Sequence, residues 1–113
     1  RRQRQMCIRD RTARFGQKNA CVALLRKWEV DVGQRIGWRP GSIRILTGLI
    51  GSSDSTIEFE VRCDALTDLE GAWAGMDAVP YHAQYMKELE ALIVSGSSHW
   101  SVYQALAGAP ESL

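Results

Sequence analysis

Residues 56–62 alternate strictly between polar and apolar side chains, in the order Thr-Ile-Glu-Phe-Glu-Val-Arg. Successive side chains of a β-strand point to opposite faces of the sheet, so this stretch predicts a strand with one buried and one solvated face. The buried side consists of Ile57, Phe59 and Val61, and the solvated side includes Glu58 and Glu60. The chain must therefore provide a second layer that covers one face of a sheet.

A second apolar run precedes this strand. Residues 42–50 are rich in isoleucine and leucine and follow the turn-forming sequence Arg39-Pro40-Gly41. The polar segment at 51–55, Gly-Ser-Ser-Asp-Ser, separates the two runs. Two strand-like runs joined by a short loop that contains glycine are typical of an antiparallel hairpin.

The segment at 17–36 has the periodicity of an amphipathic helix. Four apolar residues, separated by four, three and four positions, share one helical face: Cys21, Leu25, Trp28 and Val32. We expect Gly33 or Gly37 to end this helix, because glycine accepts the left-handed conformation that follows many helices.

Two further helices are predicted after the hairpin. Over residues 64–76 apolar positions recur at helical spacing, and residues 67–70, Thr-Asp-Leu-Glu, have the form of a capping box. Pro80 then begins a helix that runs to about Leu92, since proline is accepted in the first helical turn. The two apolar stripes are Leu66, Leu69, Trp73 and Met76, and His82, Met86, Leu89 and Ile93.

The order of these elements predicts the fold class. In residues 99–106 Trp100 and Val102 alternate with other side chains, which indicates a closing strand, whereas residues 107–113 show no packing pattern and are predicted to be a flexible tail. With a first strand ending near Phe15, the order is β-α-β-β-α-β. We therefore predict an α+β, ferredoxin-like antiparallel sheet with helices on one face, whose open face meets a second copy in a homodimer.

Residues 1–11, Arg-Arg-Gln-Arg-Gln-Met-Cys-Ile-Arg-Asp-Arg, resemble the translation of a transposase adapter used to prepare sequencing libraries. We interpret them as an adapter artefact in a metagenomic fragment, which does not belong to the natural domain. The alternative is a natural basic arm for nucleic acid or an anionic membrane. On the first interpretation a single domain covers residues 12–106, and its first strand is truncated.

Charge argues against nucleic acid as the main partner. The full chain has 14 basic and 13 acidic residues, and removing the five arginines and one aspartate of residues 1–11 leaves a net charge of −3. Nucleic-acid binding needs a clustered basic face, whereas the remaining lysines and arginines are scattered between acidic residues. We expect no nucleic-acid partner.

Cysteine and histidine usage suggests neither a disulfide framework nor a metal site. Outside the adapter-like segment only Cys21 and Cys63 remain, and no Cys or His pair has metal-ligand spacing. No apolar run approaches the roughly 18 residues that a membrane span requires. The expectations are therefore no metal, no membrane and, by default, the cytoplasm.

Several short segments carry a family resemblance. Phe15-Gly16-Gln17-Lys18 at the start of the long helix, Leu69-Glu70-Gly71-Ala72-Trp73, and the terminal run at 97–103 resemble the NIPSNAP-like branch of the dimeric α+β barrels. The chain is also similar to the antibiotic-biosynthesis-monooxygenase branch of that superfamily. The resemblance implies the fold and a homodimer, but it leaves the activity open because unrelated functions share such folds.

The candidate site lies in the cleft between sheet and helices. The helix pair supplies Trp73, Tyr81, His82 and Tyr85, with His82 as the candidate catalytic residue and the three aromatic residues as ligand-binding candidates. An imidazole among aromatic rings suits a flat, partly apolar molecule. The alternative is that His82 and Trp73 only pack within their stripes.

Arg44 is a further ligand-binding candidate. It lies on the face of its strand opposite Ile43 and Ile45, and it would hold a carboxylate if that face turned to the ligand. A surface or dimer salt bridge is the alternative.

Resemblance to haem-degrading members of the superfamily implies one specific chemistry. These members use an Asn on the first strand, a Trp, and a His about ten residues further on. Trp73 and His82 match that order, but residues 12–15 contain no Asn, and Asn19 lies on the following helix.

Two functions are therefore open. The first is a protein that binds a small aromatic or apolar metabolite, without a cofactor. The second is a small monooxygenase, of the antibiotic-biosynthesis or haem-degrading type, that uses His82 and Trp73, with haem as its possible cofactor. Binding is preferred because no pair of complementary titratable groups is visible.

Overall fold

The computed structural model describes residues 5–106, so residues 1–4 of the adapter-like segment and the predicted tail at 107–113 lie outside the described residues. The strands are β1 (Gln5–Thr12), β2 (Ile43–Thr47), β3 (Thr56–Cys63) and β4 (His99–Gln104). The helices are α1 (Lys18–Asp31), α2 (Leu66–Met76) and α3 (His82–Glu90). Among these described residues, no helix is both long and apolar enough to cross a membrane.

The strands form one antiparallel sheet in the order β2-β3-β1-β4. With α1 between β1 and β2, and α2 and α3 between β3 and β4, this is the predicted ferredoxin-like α+β fold. All three helices lie on one face of the sheet, and the other face is open. The fold prediction is confirmed.

The alternating side chains of β3 show which face of the sheet packs against the helices. Ile57, Phe59 and Val61 are at most 4% exposed and face the helices, as predicted. The prediction for the opposite face is wrong at one position, because Glu60 is only 5% exposed. Its carboxylate accepts a hydrogen bond from Arg44 on the neighbouring strand, at 2.9 Å, and this pairing compensates the charge at a mostly buried position.

The stripe predicted on α1 is buried in full and contributes Cys21, Leu25 and Trp28 to the core. The helix ends earlier than predicted, at Asp31, and continues as a 3-10 turn, Gly33–Ile36. Gly37 then takes a φ of 93°, in the left-handed region that favours glycine. Of the two predicted glycines, Gly37 therefore ends the helical segment.

Helix α2 packs against β3, and α3 packs against α1. Leu69, Ala72 and Met76 of α2 are buried, as is Leu89 of α3. The predicted capping box at 67–70 is displaced by two residues: the carboxylate of Asp68 accepts a hydrogen bond from the backbone N–H of Ala65, at 3.3 Å. The backbone N–H of the residue before the helix thus finds its acceptor in the first helical turn, two residues earlier than the sequence pattern suggests.

Strand β1 lies at the centre of the sheet and is paired on both sides. Its residues 5–11 belong to the adapter-like segment, and it ends at Thr12, before Phe15. Every residue of Gln5–Thr12 has a partner on β3, and Gln5 to Asp10 also pair with β4. A domain that begins at residue 12 would lack most of this strand. The origin of residues 1–11 stays a prediction, whereas residues 5–11 occupy a central strand of the sheet.

Candidate functional site

A cavity of about 360 Å³ lies between the sheet and the helices. Its lining comes from β1, α1, the segment after α1, β3, α2, α3 and β4, so that every layer of the fold contributes. The lining residues are Arg9, Arg11, Leu25, Trp28, Trp38, Phe59, Trp73, Met76, His82, Met86 and Trp100. The volume falls in the range of small-molecule sites in proteins, roughly 300 to 1,000 Å³.

All four tryptophans of the chain line this one cavity. The Trp28 ring lies at the centre of a cluster, with its centroid 5.7 Å from that of Trp38 and 5.5 Å from that of Phe59. On the side near β4, Trp73 and Trp100 meet edge to face at 5.3 Å. Tilted and edge-to-face contacts at these distances are the favoured geometries of aromatic pairs.

His82 is held by the tryptophan cluster. The indole Nε1–H of Trp28 donates a hydrogen bond to Nδ1 of His82 at 3.1 Å. Because Nδ1 accepts this bond, the proton of the neutral ring resides on Nε2. Burial lowers the pKa of His82 from its ordinary value of 6.5, although Asp77 acts in the opposite direction. His82 is therefore a neutral hydrogen-bond donor at pH 7.

Two arginines of β1 lie beneath the aromatic cluster. The guanidinium of Arg9 lies 4.7 Å from the centre of the Trp100 ring, and its buried Nε has no hydrogen-bond partner among the described residues. Arg11 is only 7% exposed. Burial, together with the nearby charge of Arg9, lowers the pKa of Arg11 to about 10.

Trp73 combines packing with exposure to the cavity. It lies in the apolar stripe of α2 and is half-buried, as the sequence pattern suggests. Its indole Nε1 is buried and has no hydrogen-bond partner within residues 5–106. Such a donor is uncommon in a protein interior, where most buried polar atoms are paired.

The structure brings together two of the candidate residues, Trp73 and His82, and places the other three elsewhere. Tyr81 precedes α3 and stacks under the guanidinium of Arg35, 5.2 Å from the ring centre. The hydroxyl of Tyr85 donates a hydrogen bond to the carboxylate of Asp31, which raises the pKa of Tyr85 to about 12. Their ligand-binding roles stay predictions.

The helical period explains this separation. Residues 81 and 85 are four positions apart and share a face, whereas His82 and Met86 share the neighbouring face that turns to the cavity. Arg44, the third residue outside the cavity, lies on the open face of the sheet, where it pairs with Glu60. That pair raises the pKa of Arg44, and it is the salt bridge that the sequence offered as the alternative. The ligand-binding role of Arg44 also stays a prediction.

Sequence reasoning did not assign several cavity residues to the site. Trp28 and Trp100 were placed in apolar stripes without a functional role, and Trp38 lies in the turn region between α1 and β2, which has no periodicity. Arg9 and Arg11 lie in the adapter-like segment, which the sequence places outside the natural domain. Trp28, Trp73 and Trp100 lie on inward-facing stripes of three different elements, and this is the signal that could have found them, whereas Trp38 belongs to no stripe.

No metal centre is visible in the part of the chain that the structure describes. Residues 5–106 contain no group of three or more His, Cys, Asp or Glu side chains placed to hold a metal ion. The three cysteines Cys7, Cys21 and Cys63 are free thiols, and burial raises the pKa of each. They are therefore protonated at neutral pH and poor nucleophiles.

The fold and the cavity together define an α+β protein with an aromatic cavity between a four-stranded antiparallel sheet and its helices. Neither a protein-family model nor a curated protein matches the chain by sequence. Solved structures match it by fold, and these include NIPSNAP family proteins and antibiotic biosynthesis monooxygenase-like proteins, as the sequence resemblance predicted.

A NIPSNAP family protein from Agrobacterium tumefaciens superimposes with a TM-score of 0.79 at 14% identity, over 96% of this chain and 91% of that one. A second protein from the same organism, described as a NIPSNAP family protein with unknown function, gives 0.75 at 15% identity, over 95% and 92%. A proposed antibiotic biosynthesis monooxygenase from Chloroflexus aurantiacus gives 0.58 at 13% identity, over 95% and 97%. At these identities the similarity shows the fold alone.

Proposed function

We propose that this protein binds a small, partly aromatic or apolar metabolite in the cavity between its sheet and helices. The observation that carries the proposal is the convergence of all four tryptophans on that cavity. Aromatic side chains provide large apolar contact area together with defined stacking geometry, which suits a flat ligand.

The cavity has a route of entry beside β4. This strand forms an edge of the sheet, and its inward-facing residues Trp100 and Val102 are each 41% exposed. The opposite side of the cavity is closed by buried residues of α1 and β3, including Trp28 and Phe59. A ligand would therefore enter past Trp100 and stack against the inner tryptophans.

The hydrogen bond between Trp28 and His82 favours binding over the monooxygenase alternative. A general base needs a free lone pair, and so does a haem ligand, but Nδ1 of His82 accepts from Trp28 and Nε2 carries the proton. The donor set around His82 therefore does not fit a haem iron in this arrangement. His82 is better suited to donate a hydrogen bond to a ligand than to remove its proton.

The test is titration with N-phenyl-1-naphthylamine, a neutral aromatic probe whose emission rises in apolar sites and which accepts energy from tryptophan. We expect saturable binding of one probe per chain. Met86→Trp, which fills the cavity, should weaken binding by roughly tenfold or more, equivalent to about 1.4 kcal/mol.

The matched control is Gln84→Trp, two residues away on the same helix, exposed and outside the cavity lining. It adds the same indole without filling the cavity and should leave the affinity unchanged. Absence of saturable binding by the parent chain, or equal loss of binding in both variants, would contradict the proposal.

We further propose that the chain forms a homodimer through the open face of its sheet. The half-buried apolar residues Met6, Ile8 and Leu46 lie on this face, which no helix covers. Close to them, one carboxylate oxygen of Asp10 is buried without a hydrogen-bond partner among residues 5–106. A second copy packed on this face would shield the apolar residues from water.

A further inference from the structure

We infer that the cavity selects ligands that carry an acidic group, a carboxylate or sulfonate, on their aromatic or apolar body. This inference rests on the proposed function and names its ligand class. It depends on the arrangement of Arg9, Arg11 and His82 around the tryptophans.

The two arginines share one face of β1. They are two residues apart, opposite Phe59 and Ile57 of β3, so both side chains point to the helices. In protein interiors, arginine is almost never buried without a partner of opposite charge. Here, however, no ion pair or hydrogen bond to a carboxylate exists for either guanidinium within the described residues.

Nearby carboxylates lie on the wrong side of the sheet to supply that partner. Asp10 alternates with the two arginines along β1 and lies opposite Glu58 of β3 in the strand register. The carboxylate of Glu60 accepts a hydrogen bond from Arg44. All three acidic residues therefore face away from the cavity, and no Asp or Glu of residues 5–106 lines it. Its described lining combines apolar walls with two positive charges and no negative charge.

His82 adds a directed donor on the other wall. Because Nδ1 of His82 already accepts a hydrogen bond from Trp28, the imidazole can donate its Nε2–H to a ligand. A carboxylate or sulfonate accepts several hydrogen bonds at once, and bonds to guanidinium groups are among the stronger ones in proteins. An acidic ligand would thus satisfy donors that no described residue satisfies.

Arg9 and Arg11 both belong to the segment that resembles translated adapter, whereas His82 and the tryptophans belong to the rest of the chain. The acidic-ligand preference is therefore a property of the chain that carries Arg9 and Arg11 in β1.

The experiment compares two probes of nearly equal shape on the intact chain: N-phenyl-1-naphthylamine, which is neutral, and 8-anilinonaphthalene-1-sulfonate, which carries one negative charge. We expect the sulfonate to bind more tightly than the neutral probe by roughly tenfold or more. Replacing both arginines, Arg9→Gln with Arg11→Met, should abolish this preference, so that the two probes bind the variant with similar affinity.

Arg62→Gln is the matched control, because Arg62 is an exposed arginine on the open face of β3. It removes the same charge from the same sheet and should keep the preference. Near-ultraviolet circular dichroism of each variant shows whether its aromatic packing is retained, and the single variant Arg9→Gln replaces the double variant if packing is lost.

The outcomes separate this inference from the proposed function. Tight binding of the neutral probe with no preference for the sulfonate overturns the inference and leaves the proposed function standing. A preference that Arg62→Gln removes as well also overturns it, since net charge would then explain the effect. Failure of both probes to bind contradicts the proposed function itself.

Discussion

At the scale of single residues, the protonation state of His82 depends on Trp28. An imidazole that accepts from an indole N–H cannot protonate Nδ1 without losing that hydrogen bond, and partial burial also disfavours its charged form. Protonation of His82 is therefore linked to the packing of the tryptophan cluster.

This linkage predicts a dependence of stability on pH. The folded state lowers the pKa of His82 below 6.5, so the unfolded chain binds the proton more readily. The stabilising contribution is present above about pH 6.5 and is lost as the pH falls through the folded-state pKa. We expect the free energy of unfolding, measured with urea, to decrease between about pH 7.5 and pH 5.5.

Two variants identify the residue responsible. His82→Gln should show a smaller decrease over the same interval, since glutamine does not titrate. His99→Gln replaces the chain's other histidine, which is exposed on β4, and should behave as the parent chain does. An identical pH dependence in the parent chain and in His82→Gln would contradict the linkage.

At the scale of elements, the hairpin between β2 and β3 is closed by a backbone contact that only glycine permits. A Cβ placed on Gly48 would lie 1.9 Å from the carbonyl oxygen of Ser53. The neighbouring residues Leu49 and Ile50 are about nine-tenths exposed, so the loop is held by its backbone rather than by packing.

Gly48→Ala should therefore destabilise the protein, by about 1 to 3 kcal/mol, because the loop backbone must shift to accept the methyl group. Urea unfolding at neutral pH measures the effect. Gly41→Ala is the control, since a Cβ there meets no atom within 4 Å, and its effect should be well below that of Gly48→Ala. Equal stability of the two variants would show that the loop rearranges freely.

Strand β1 shows that backbone pairing and side-chain fit are separate requirements. Its backbone pairs in register with both neighbours, which many sequences can do. Its inward-facing residues are Cys7, which is fully buried, and the two arginines, which bring charge into the helix-facing layer. The origin of residues 1–11 stays a prediction, and the charged inner face described here is a property of β1 as it stands in this sequence.

At the scale of the whole molecule, the two faces of the sheet have different chemistry. The helix-covered face holds the core and the cavity, while the open face carries Leu46 and the Arg44–Glu60 pair. The 12.6-kDa chain should therefore elute as a dimer of twice that mass, as measured by light scattering.

Leu46→Asp should convert the dimer into a monomer of about half the mass, because a carboxylate on the interface would be desolvated without a partner. Leu66→Asp, on the helical side of the molecule and half-exposed, introduces the same change away from the open face and should leave the dimer intact. A monomeric parent chain would refute the proposed interface.

Much of the fold could be predicted from periodicity alone. The stripe of α1 and the alternation of β3 were correct residue by residue on their buried sides, because those patterns reflect burial directly. Two errors, at Glu60 and at the start of α2, concern polar side chains, whose burial and partners depend on neighbouring strands and loops rather than on their own segment. A third is the end of α1, where the chain changes from α-helical to 3-10 geometry without a change in the apolar spacing.

The sequence by itself determined the order of elements, the inward faces of α1 and β3 and the resemblance to the NIPSNAP and monooxygenase folds, since local periodicity and element order suffice for these. Only the tertiary structure decided which side chains form the site. It joined Trp28 to His82, 54 positions apart, and it separated His82 from the adjacent Tyr81. The physical reason is that a cavity is defined by contacts between elements, and no pattern within one element records them.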